Sequence, residues 1–262
     1  MGRRRHQSDT SVRAGLVGLE PDIILTAGTA ATAAVQQETR TIPIVFAAAS
    51  DPVVRGIVAR LDRPGGNVTG FVILEASLGG KWLELLLEIA PGLKRAVMMF
   101  IDTPTASVYL PSLETAARAR KVVPIVAPVH GDAEIETAIN DLGREPGGGL
   151  VIIPDGFMGL HRAPIISAAA RNNVPAVYAQ SFFAREGGLL SYGIDQVDII
   201  RHAATYIDRI LRGAKPAELS VQLPTKFELI INLKTAKSLG LTIPETLLAT
   251  ADEVIQRRDA SS

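Results

Sequence analysis

Residues 42–71, IPIVFAAASDPVVRGIVARLDRPGGNVTGF, decide the fold of this chain. They open with a short apolar run, 42–49, whose length and β-branched residues predict a buried strand. The strand ends at Ser50-Asp51-Pro52, where Asp can cap a helix and Pro suits its first position. A short amphipathic turn over 53–61 follows, and Pro64-Gly65-Gly66 separates it from a new extended segment. Polar side chains therefore follow the carboxyl end of a strand, where ligands bind in open α/β sheets.

Strands and helices alternate along the rest of the chain. Further strands are predicted at 22–26, 96–100, 122–127, 150–153 and 175–178. A helical pattern follows each of the first four, and a loop, 180–183, follows the last. This order predicts βαβ units and parallel sheets, that is, an α/β fold.

Three extended segments, 68–71, 189–192 and 219–223, lead away from their own layer. They indicate two α/β lobes that exchange strands, with a cleft between the lobes. Lobe 1 is expected to comprise residues 1–71 and 193–218, and lobe 2 residues 74–190 and 225–262. The hinges are expected near 68–73, 189–193 and 219–225.

The clearest helical pattern begins after Asp195, a suitable N-cap, and ends before Gly213. Its apolar residues at helical spacing are Val197, Ile200, Ala204, Ile207 and Leu211. We expect this face to be buried, so that Ile200→Ala costs ~2–5 kcal/mol through the cavity it leaves.

Composition excludes several classes of function. Lys+Arg and Asp+Glu both number 27, so no excess of charge favours nucleic acid, and we expect none as a partner. The chain has no cysteine, which excludes disulfides and thiolate metal sites. No apolar run reaches the ~18 residues of a membrane helix, and the first residues have no signal-peptide pattern.

Motifs of catalysis and metal binding are missing as well. The sequence has no GxSxG, GxGxxG, GxxxxGK[ST] or HExxH, and its four histidines show no metal-ligand spacing. We therefore expect no catalytic residue, no metal, no cofactor and no enzyme activity.

Four aspartates, Asp51, Asp102, Asp155 and Asp195, follow predicted strands. Each either caps the next helix or holds a ligand ammonium through charge-assisted hydrogen bonds. Less regular sequence follows Asp102 and Asp155, so we favour these two, with Thr103 of the same exit loop, as ligand contacts.

Two hydroxyl residues are predicted at helix N-termini, where free N–H groups and the helix dipole favour an anion such as a carboxylate. These are Thr29, which follows Gly28 in a turn, and Ser50. Both hydroxyls could instead only cap. Among the aromatics near strand ends, Phe182 and Tyr192 are the best candidates for lining an apolar ligand pocket.

Several long motifs carry a resemblance. They are PDIILTAGTAATAAVQQETRTIPIVFAAASDPV, DRPGGNVTGF, GGKWLELLLEIAPGLKR, GGLLSYGIDQVDIIRHAATYIDRILRGAKPAELSVQLPTKFELIINLKTAKSLGLTIP and LLATADEVIQ. From about residue 21 to 256 the chain resembles the ABC-transporter substrate-binding proteins of the tryptophan/tyrosine-uptake type. The resemblance implies a type I periplasmic-binding-protein fold, in which two Rossmann-like lobes are joined by three hinge strands and a small amino-acid-like ligand lies in the inter-lobe cleft. It also implies a periplasmic location, and a membrane permease and an ATPase as partners of a monomeric protein.

The chain departs from this family at its N-terminal end. Members usually carry an export signal, a strand, a helix and another strand that are absent here, so lobe 1 is expected to be incomplete and N-terminally truncated. Three alternative hypotheses about the function stay open. They are a truncated non-functional paralogue, the ligand-sensing domain of a transcriptional regulator, and an isomerase or racemase on paired lobes. The absence of cysteine and of a front helix-turn-helix disfavours the last two.

Overall fold

The computed structural model describes residues 15–101 and 106–256, which fall into two compact units. Unit 1 comprises the described residues up to Leu74 together with Asp195–Lys226. Unit 2 comprises Glu75–Ile194 and the described residues from Phe227 onward. Each unit has helices packed on a sheet whose strands are mostly parallel, so the predicted α/β class is confirmed. The predicted lobe boundaries and hinge positions stay predictions.

Unit 1 contains, in its described residues, a parallel sheet of three strands in the order β1 (Ile24–Ala27), β2 (Ile44–Ala49) and β3 (Val68–Val72). The helix Thr29–Glu38 packs on one face, where Val35 shares a core with alternate residues of β2. The helix Gln196–Leu211 contacts β2 and β3 on the opposite face. Because both faces of β2 are covered, all of its residues except Ala48 are buried.

Unit 2 is built on a larger sheet. Its described strands are β4 (Arg95–Phe100), β5 (Val123–Pro128), β6 (Gly148–Ile152), β7 (Ala176–Tyr178), β8 (Leu190–Ile194), β9 (Phe227–Asn232) and β10 (Glu253–Ile255). They are ordered β10-β9-β8-β7-β6-β4-β5, and β9 is antiparallel to β8. The helices are Leu78–Ile89, Ala106–Arg120, Asp132–Gly143, Gly156–Leu160, Arg162–Arg171, Ser181–Arg185, Leu233–Ser238 and Glu245–Thr250.

The helix Gln196–Leu211 buries a different face from the predicted one. Its buried residues are Ile199, Ala203, Tyr206 and Ile210. Val197, Ile200 and Leu211 are 59%, 48% and 58% exposed, so the predicted burial of their face is wrong. The helix therefore has two apolar stripes. The buried stripe was not recognised in the sequence because two of its members, Ala203 and Tyr206, are less apolar than the isoleucine, valine and leucine of the exposed stripe. Contact with the sheet decided between the stripes.

Ile199→Ala is therefore expected to lower the free energy of unfolding by ~2–4 kcal/mol, because it leaves a cavity under the helix. Ile200→Ala is expected to cost less than ~1 kcal/mol, because that side chain is half exposed. Urea denaturation followed by circular dichroism at submicromolar protein concentration compares the two variants. A larger loss for Ile200→Ala than for Ile199→Ala would restore the sequence-based assignment.

The predicted secondary structure of two short segments also needs correction. The segment 53–61 forms turns and no helix, so Ser50 does not stand at a helix N-terminus. The predicted strand at 219–223 is reduced to a single bridge between Phe71 and Gln222. Gln222 also donates its backbone N–H to the carbonyl of Gly70, which ties this segment to β3 within unit 1.

Candidate functional site

The carboxyl ends of β1 and β2 are joined through the hydroxyl of Thr29. Thr29 Oγ1 accepts the backbone N–H of Ser50 at 2.8 Å and donates to the carbonyl of Ser50 at 3.1 Å. The N–H of Gly28 donates to the carbonyl of Ala47 at 2.9 Å, which continues the pairing of the two strands. Because the Thr29 hydroxyl already has both partners inside the protein, what this residue can offer a ligand is its backbone N–H.

The helix that starts at Thr29 is open to an anion. Its N-cap, Gly28, has φ +81° and provides no side-chain cap, and the first turn has no acidic residue. The first intrahelical donor is the N–H of Thr32, which bonds to the carbonyl of Gly28. The N–H groups of Thr29, Ala30 and Ala31 therefore have no acceptor within the helix, and the helix dipole favours negative charge there.

The end of β2 and the loop that follows it have unusual backbone geometry. Ala48 and Asp51 have φ of +60° and +42°, a region that residues other than glycine rarely adopt. The register between β2 and β3 shifts between Phe46 and Ala49, which marks a β-bulge. The chain bends at these positions, and the backbone of Ser50 is hydrogen-bonded to Thr29. The sequence did not predict this bend, because the residues 47–49 are all alanine and alanine has no preference for positive φ.

Asp51 stabilises a turn in this loop. Its Oδ1 accepts the N–H of Val54 at 3.2 Å, an exposed contact. In the described residues, Ser50 makes backbone hydrogen bonds to Thr29 and its side-chain hydroxyl has no partner. Ser50 therefore retains a hydroxyl that a ligand could use.

Asp155 in unit 2 is an N-cap. Its Oδ1 accepts the N–H groups of Phe157 and Met158 at 2.6 and 3.2 Å and so begins the helix Gly156–Leu160. Burial raises the pKa of the Asp155 carboxyl, and these two hydrogen bonds oppose that rise. Its other oxygen remains available. The capping alternative is thus observed, and it leaves one carboxylate oxygen for a ligand ammonium.

Phe182 lies against the same short helix, together with a residue that the sequence analysis missed. A side chain added at Gly159 would come within 3.3 Å of the Phe182 ring and 3.8 Å of Gln180 Oε1. Gln180 Oε1 is buried and lacks a hydrogen-bond partner among the described residues. Gln180 lies two residues after the end of β7, so the rule that selected the aspartates would have found it. Phe182 itself lies in the first turn of a helix, Ser181–Arg185, and the guanidinium of Arg162 lies over its ring, 5.6 Å from the centroid.

Tyr192 belongs to a separate groove of unit 2. Its ring stacks on Phe227 with centroids 5.9 Å apart, and Lys81, Leu85 and Asp252 line the same groove. Burial, and next the charge of Asp252, raise the pKa of the Tyr192 hydroxyl. Asp155 and Phe182 are not among the described lining residues of this groove. The structure therefore groups Phe182 with Asp155 and places Tyr192 elsewhere in the unit.

The remaining predicted site residues have different outcomes. Asp102 and Thr103 lie outside the residues that the structure describes. Asp195 caps the helix Gln196–Leu211 through the N–H of Asp198 and accepts Lys226 Nζ at 2.9 Å. The Lys226 hydrogen bond holds the pKa of the Asp195 carboxyl below its usual range. Asp195 is thus satisfied within the protein, as its capping interpretation predicted.

A family model described as ABC transporter substrate binding protein matches residues 6–255. The chain belongs to this family. The resemblance found in its motifs is thereby confirmed, and so is the expectation that it is a solute-binding protein and not an enzyme. No helix among the described residues is long and apolar enough to cross a membrane.

One curated relative in this family is the Tyrosine-binding protein of Clostridioides difficile (strain R20291). It is 25% identical over 236 residues, which cover 88% of this chain and 66% of the relative. The chain thus spans just under two thirds of that relative's length.

Two solved structures are similar over almost the whole chain. The first is a conserved domain protein from Vibrio cholerae, with a TM-score of 0.82, 29% identity, and coverage of 95% of this chain and 83% of that one. The second is an ABC domain from Streptococcus pneumoniae in complex with L-Trp, with a TM-score of 0.82, 24% identity, and coverage of 95% and 86%. Together with the two α/β units, these matches confirm the type I periplasmic-binding-protein fold.

Proposed function

We propose that this chain is the solute-binding component of an ABC importer and binds an amino-acid-like small molecule. The observation that carries the proposal is the uncapped N-terminus of the helix Thr29–Glu38, within a chain of the substrate-binding family. The relatives support the ligand class, because one is named a tyrosine-binding protein and another was solved with L-Trp.

The two units offer groups that suit opposite ends of an amino acid. In unit 1, the N–H groups of Thr29 to Ala31 and the hydroxyl of Ser50 are donors for a carboxylate. In unit 2, the free oxygen of Asp155 suits an ammonium, and Gln180 Oε1 is an acceptor that still lacks a partner.

The other candidates complete the proposed ligand contacts. Phe182, beside the helix that Asp155 caps, would serve an apolar or aromatic side chain. Tyr192 stays a proposed ligand contact, although its ring lies in a separate groove of unit 2 against Phe227. Gly28 allows close approach to the helix N-terminus, since it has no side chain and nothing in the described structure lies within 4 Å of a side chain placed there. Asp51, Asp102 and Thr103 are proposed as further polar contacts.

The proposal extends to partners and location. A solute-binding protein of this class delivers its ligand to a membrane permease that an ATPase drives, so we propose both as partners. We place the protein in the periplasm by analogy with the family. No sequence feature favours nucleic acid, because basic and acidic residues balance at 27 each.

A thermal-shift screen followed by titration calorimetry tests the ligand class. L-tyrosine, L-tryptophan and other amino acids are expected to raise the melting temperature, because a ligand that binds only the native state stabilises it. At a concentration of ~100 times Kd, the gain is ~2.7 kcal/mol. Sugars and purines serve as controls. A response to a sugar with none to any amino acid would contradict the assignment.

A further inference from the structure

The side-chain carboxamide of Gln180 makes no hydrogen bond with the residues that the structure describes. Its Oε1 atom is buried and has no partner there. The backbone of the same residue is paired, because its carbonyl accepts the N–H of Phe183 at 3.2 Å. Buried polar atoms in native proteins are almost always hydrogen-bonded, since an unpaired one costs free energy. The oxygen of Gln180 is therefore an acceptor that a ligand can complete.

Gln180 differs from the other unpaired groups in being accessible. Two more buried side-chain oxygens, those of Tyr109 and Ser191, also lack a partner in the described part of the chain. Both residues are enclosed, since Tyr109 is 0% and Ser191 1% exposed. Gln180 is partly exposed, so a molecule in solution can reach its carboxamide. The last side-chain torsion of glutamine is soft, and its rotation turns the oxygen toward such a molecule without moving the backbone.

The space beside this carboxamide is bounded by a backbone turn and an aromatic ring. A side chain at Gly159 would lie 3.8 Å from Gln180 Oε1 and 3.3 Å from the Phe182 ring, so the absence of one leaves room between them. Arg162 fixes both boundaries, because Nη1 donates to the carbonyl of Gly159 at 2.9 Å and the guanidinium lies over the ring of Phe182. The charge of Arg162 is paired with Glu186 at 2.7 Å. The acceptor thus lies beside a ring and a backbone turn that are held in place.

Asp155 supplies the charged acceptor of the same part of unit 2. The N–H of Gly159 donates to the carbonyl of Asp155 at 3.1 Å, so one helical turn separates the Asp155 backbone from the turn beside Gln180. Hydrogen bonds to a charged group are roughly twice as strong as those between neutral groups. A ligand ammonium is therefore better satisfied by the free oxygen of Asp155. The neutral oxygen of Gln180 is left for a neutral donor on the ligand.

We propose that Gln180 selects the side chain of the bound amino acid. It favours a side chain that ends in a neutral hydrogen-bond donor, such as the phenol of tyrosine, over a wholly apolar one. The inference rests on the proposed amino-acid-binding function and adds the chemistry of the ligand side chain to it. A phenol pairs with the buried oxygen, whereas a phenyl ring in the same place leaves it unpaired. Because an unpaired buried acceptor is costly, L-tyrosine is expected to bind ~10- to 100-fold more tightly than L-phenylalanine.

Titration calorimetry of the full chain with L-tyrosine and L-phenylalanine, which differ by one hydroxyl, tests this selection. Gln180→Met keeps the length of the side chain and removes its polar groups. It is expected to lower the affinity for L-tyrosine ~10- to 100-fold and to leave that for L-phenylalanine unchanged, so that the preference disappears. Gln36→Met is the matched control. Gln36 is also partly buried, and its Nε2 donates to the carbonyl of Ile57 at 2.7 Å in unit 1, so this variant should keep the wild-type preference.

The melting temperature of the ligand-free proteins gives a second readout. Gln180→Met should hold or raise it, because the lost oxygen has no partner among the described residues. Gln36→Met should lower it by ~2–4 °C, because a hydrogen bond within the protein is lost. A fall in Gln180→Met as large as that in Gln36→Met would show that the carboxamide is paired inside the protein, and would overturn the proposal.

The binding outcomes separate this inference from the function on which it rests. Equal affinity of the wild-type chain for L-tyrosine and L-phenylalanine would overturn the inference, whether or not the variants fold. So would a Gln180→Met protein that loses affinity for both ligands equally, since the carboxamide would then hold a group that the two share. A wild-type preference for L-leucine over L-tyrosine would also overturn it and would leave amino-acid binding intact. Binding of no amino acid would contradict the proposed function itself, and this inference with it.

Discussion

Trp82→Ala is expected to lower the free energy of unfolding by ~3–5 kcal/mol. The indole is fully buried, and its ring packs on Tyr109 with centroids 5.0 Å apart. Trp82 Nε1 also donates to the backbone carbonyl of Tyr192 at 2.6 Å, which fastens the helix Leu78–Ile89 to β8. Alanine would leave a large cavity and a carbonyl without its donor, and an unpaired buried group alone costs ~1–3 kcal/mol.

Urea denaturation followed by circular dichroism measures this loss, because Trp82 is the single tryptophan and its removal abolishes tryptophan fluorescence. Trp82→Phe keeps most of the packing but loses the hydrogen bond to Tyr192. Its free energy of unfolding is therefore expected to lie between those of wild type and Trp82→Ala. Lys81→Ala, on the same helix and partly exposed, should lie within ~0.5 kcal/mol of wild type. A Trp82→Ala protein within ~1 kcal/mol of wild type would show that the helix is held to the sheet by other contacts.

Ala30→Asp is expected to weaken binding of an amino-acid ligand ~100-fold. Ala30 is exposed in the first turn of the helix Thr29–Glu38, where the proposed ligand carboxylate meets free N–H groups. Two like charges ~4 Å apart repel by ~4 kcal/mol at an effective dielectric constant of ~20. Solvent exposure reduces this to ~3 kcal/mol, which corresponds to about two orders of magnitude in Kd.

The same substitution should not harm the fold. An acidic residue in the first turn of a helix is stabilising by ~0.3–1 kcal/mol, so the melting temperature should hold or rise while affinity falls. Ala30→Asn carries no charge and is the matched control, with a much smaller loss of affinity. Titration calorimetry with L-tyrosine measures both variants. Wild-type affinity in Ala30→Asp would place the ligand carboxylate away from this helix.

The strands could be predicted from the sequence because their signal is local. Apolar runs such as 42–49 and 150–153 are too short for helices and end at Pro, Gly or Asp, and both became buried parallel strands. The turn at Pro64-Gly65-Gly66 needs residues that tolerate positive φ, and the glycines supply it at +64° and +98°.

The site residues were predictable only in part. The rule that polar residues at strand ends bind ligands selected Asp155 and Thr29, yet it could not show that each already has partners in the protein. Nor could it show that Ala48 takes a φ of +60°, because alanine has no preference for that region and the bulge arises from the pairing of β2 with β3. Tyr192 and Phe182 were selected together because both lie near the ends of predicted strands. In the structure, the Tyr192 ring stacks on Phe227 in a groove that Phe182 does not line.

The sequence by itself determined the order of strands and helices, the α/β class and the family, because these depend on local patterns and long motifs. Tertiary structure alone decided which stripe of the helix Gln196–Leu211 is buried. Both stripes have helical spacing, and only the sheet beneath selects Ile199 over Ile200. Burial depends on contacts between residues about 150 positions apart in the chain, such as β2 with this helix, and such contacts leave no trace in a local pattern.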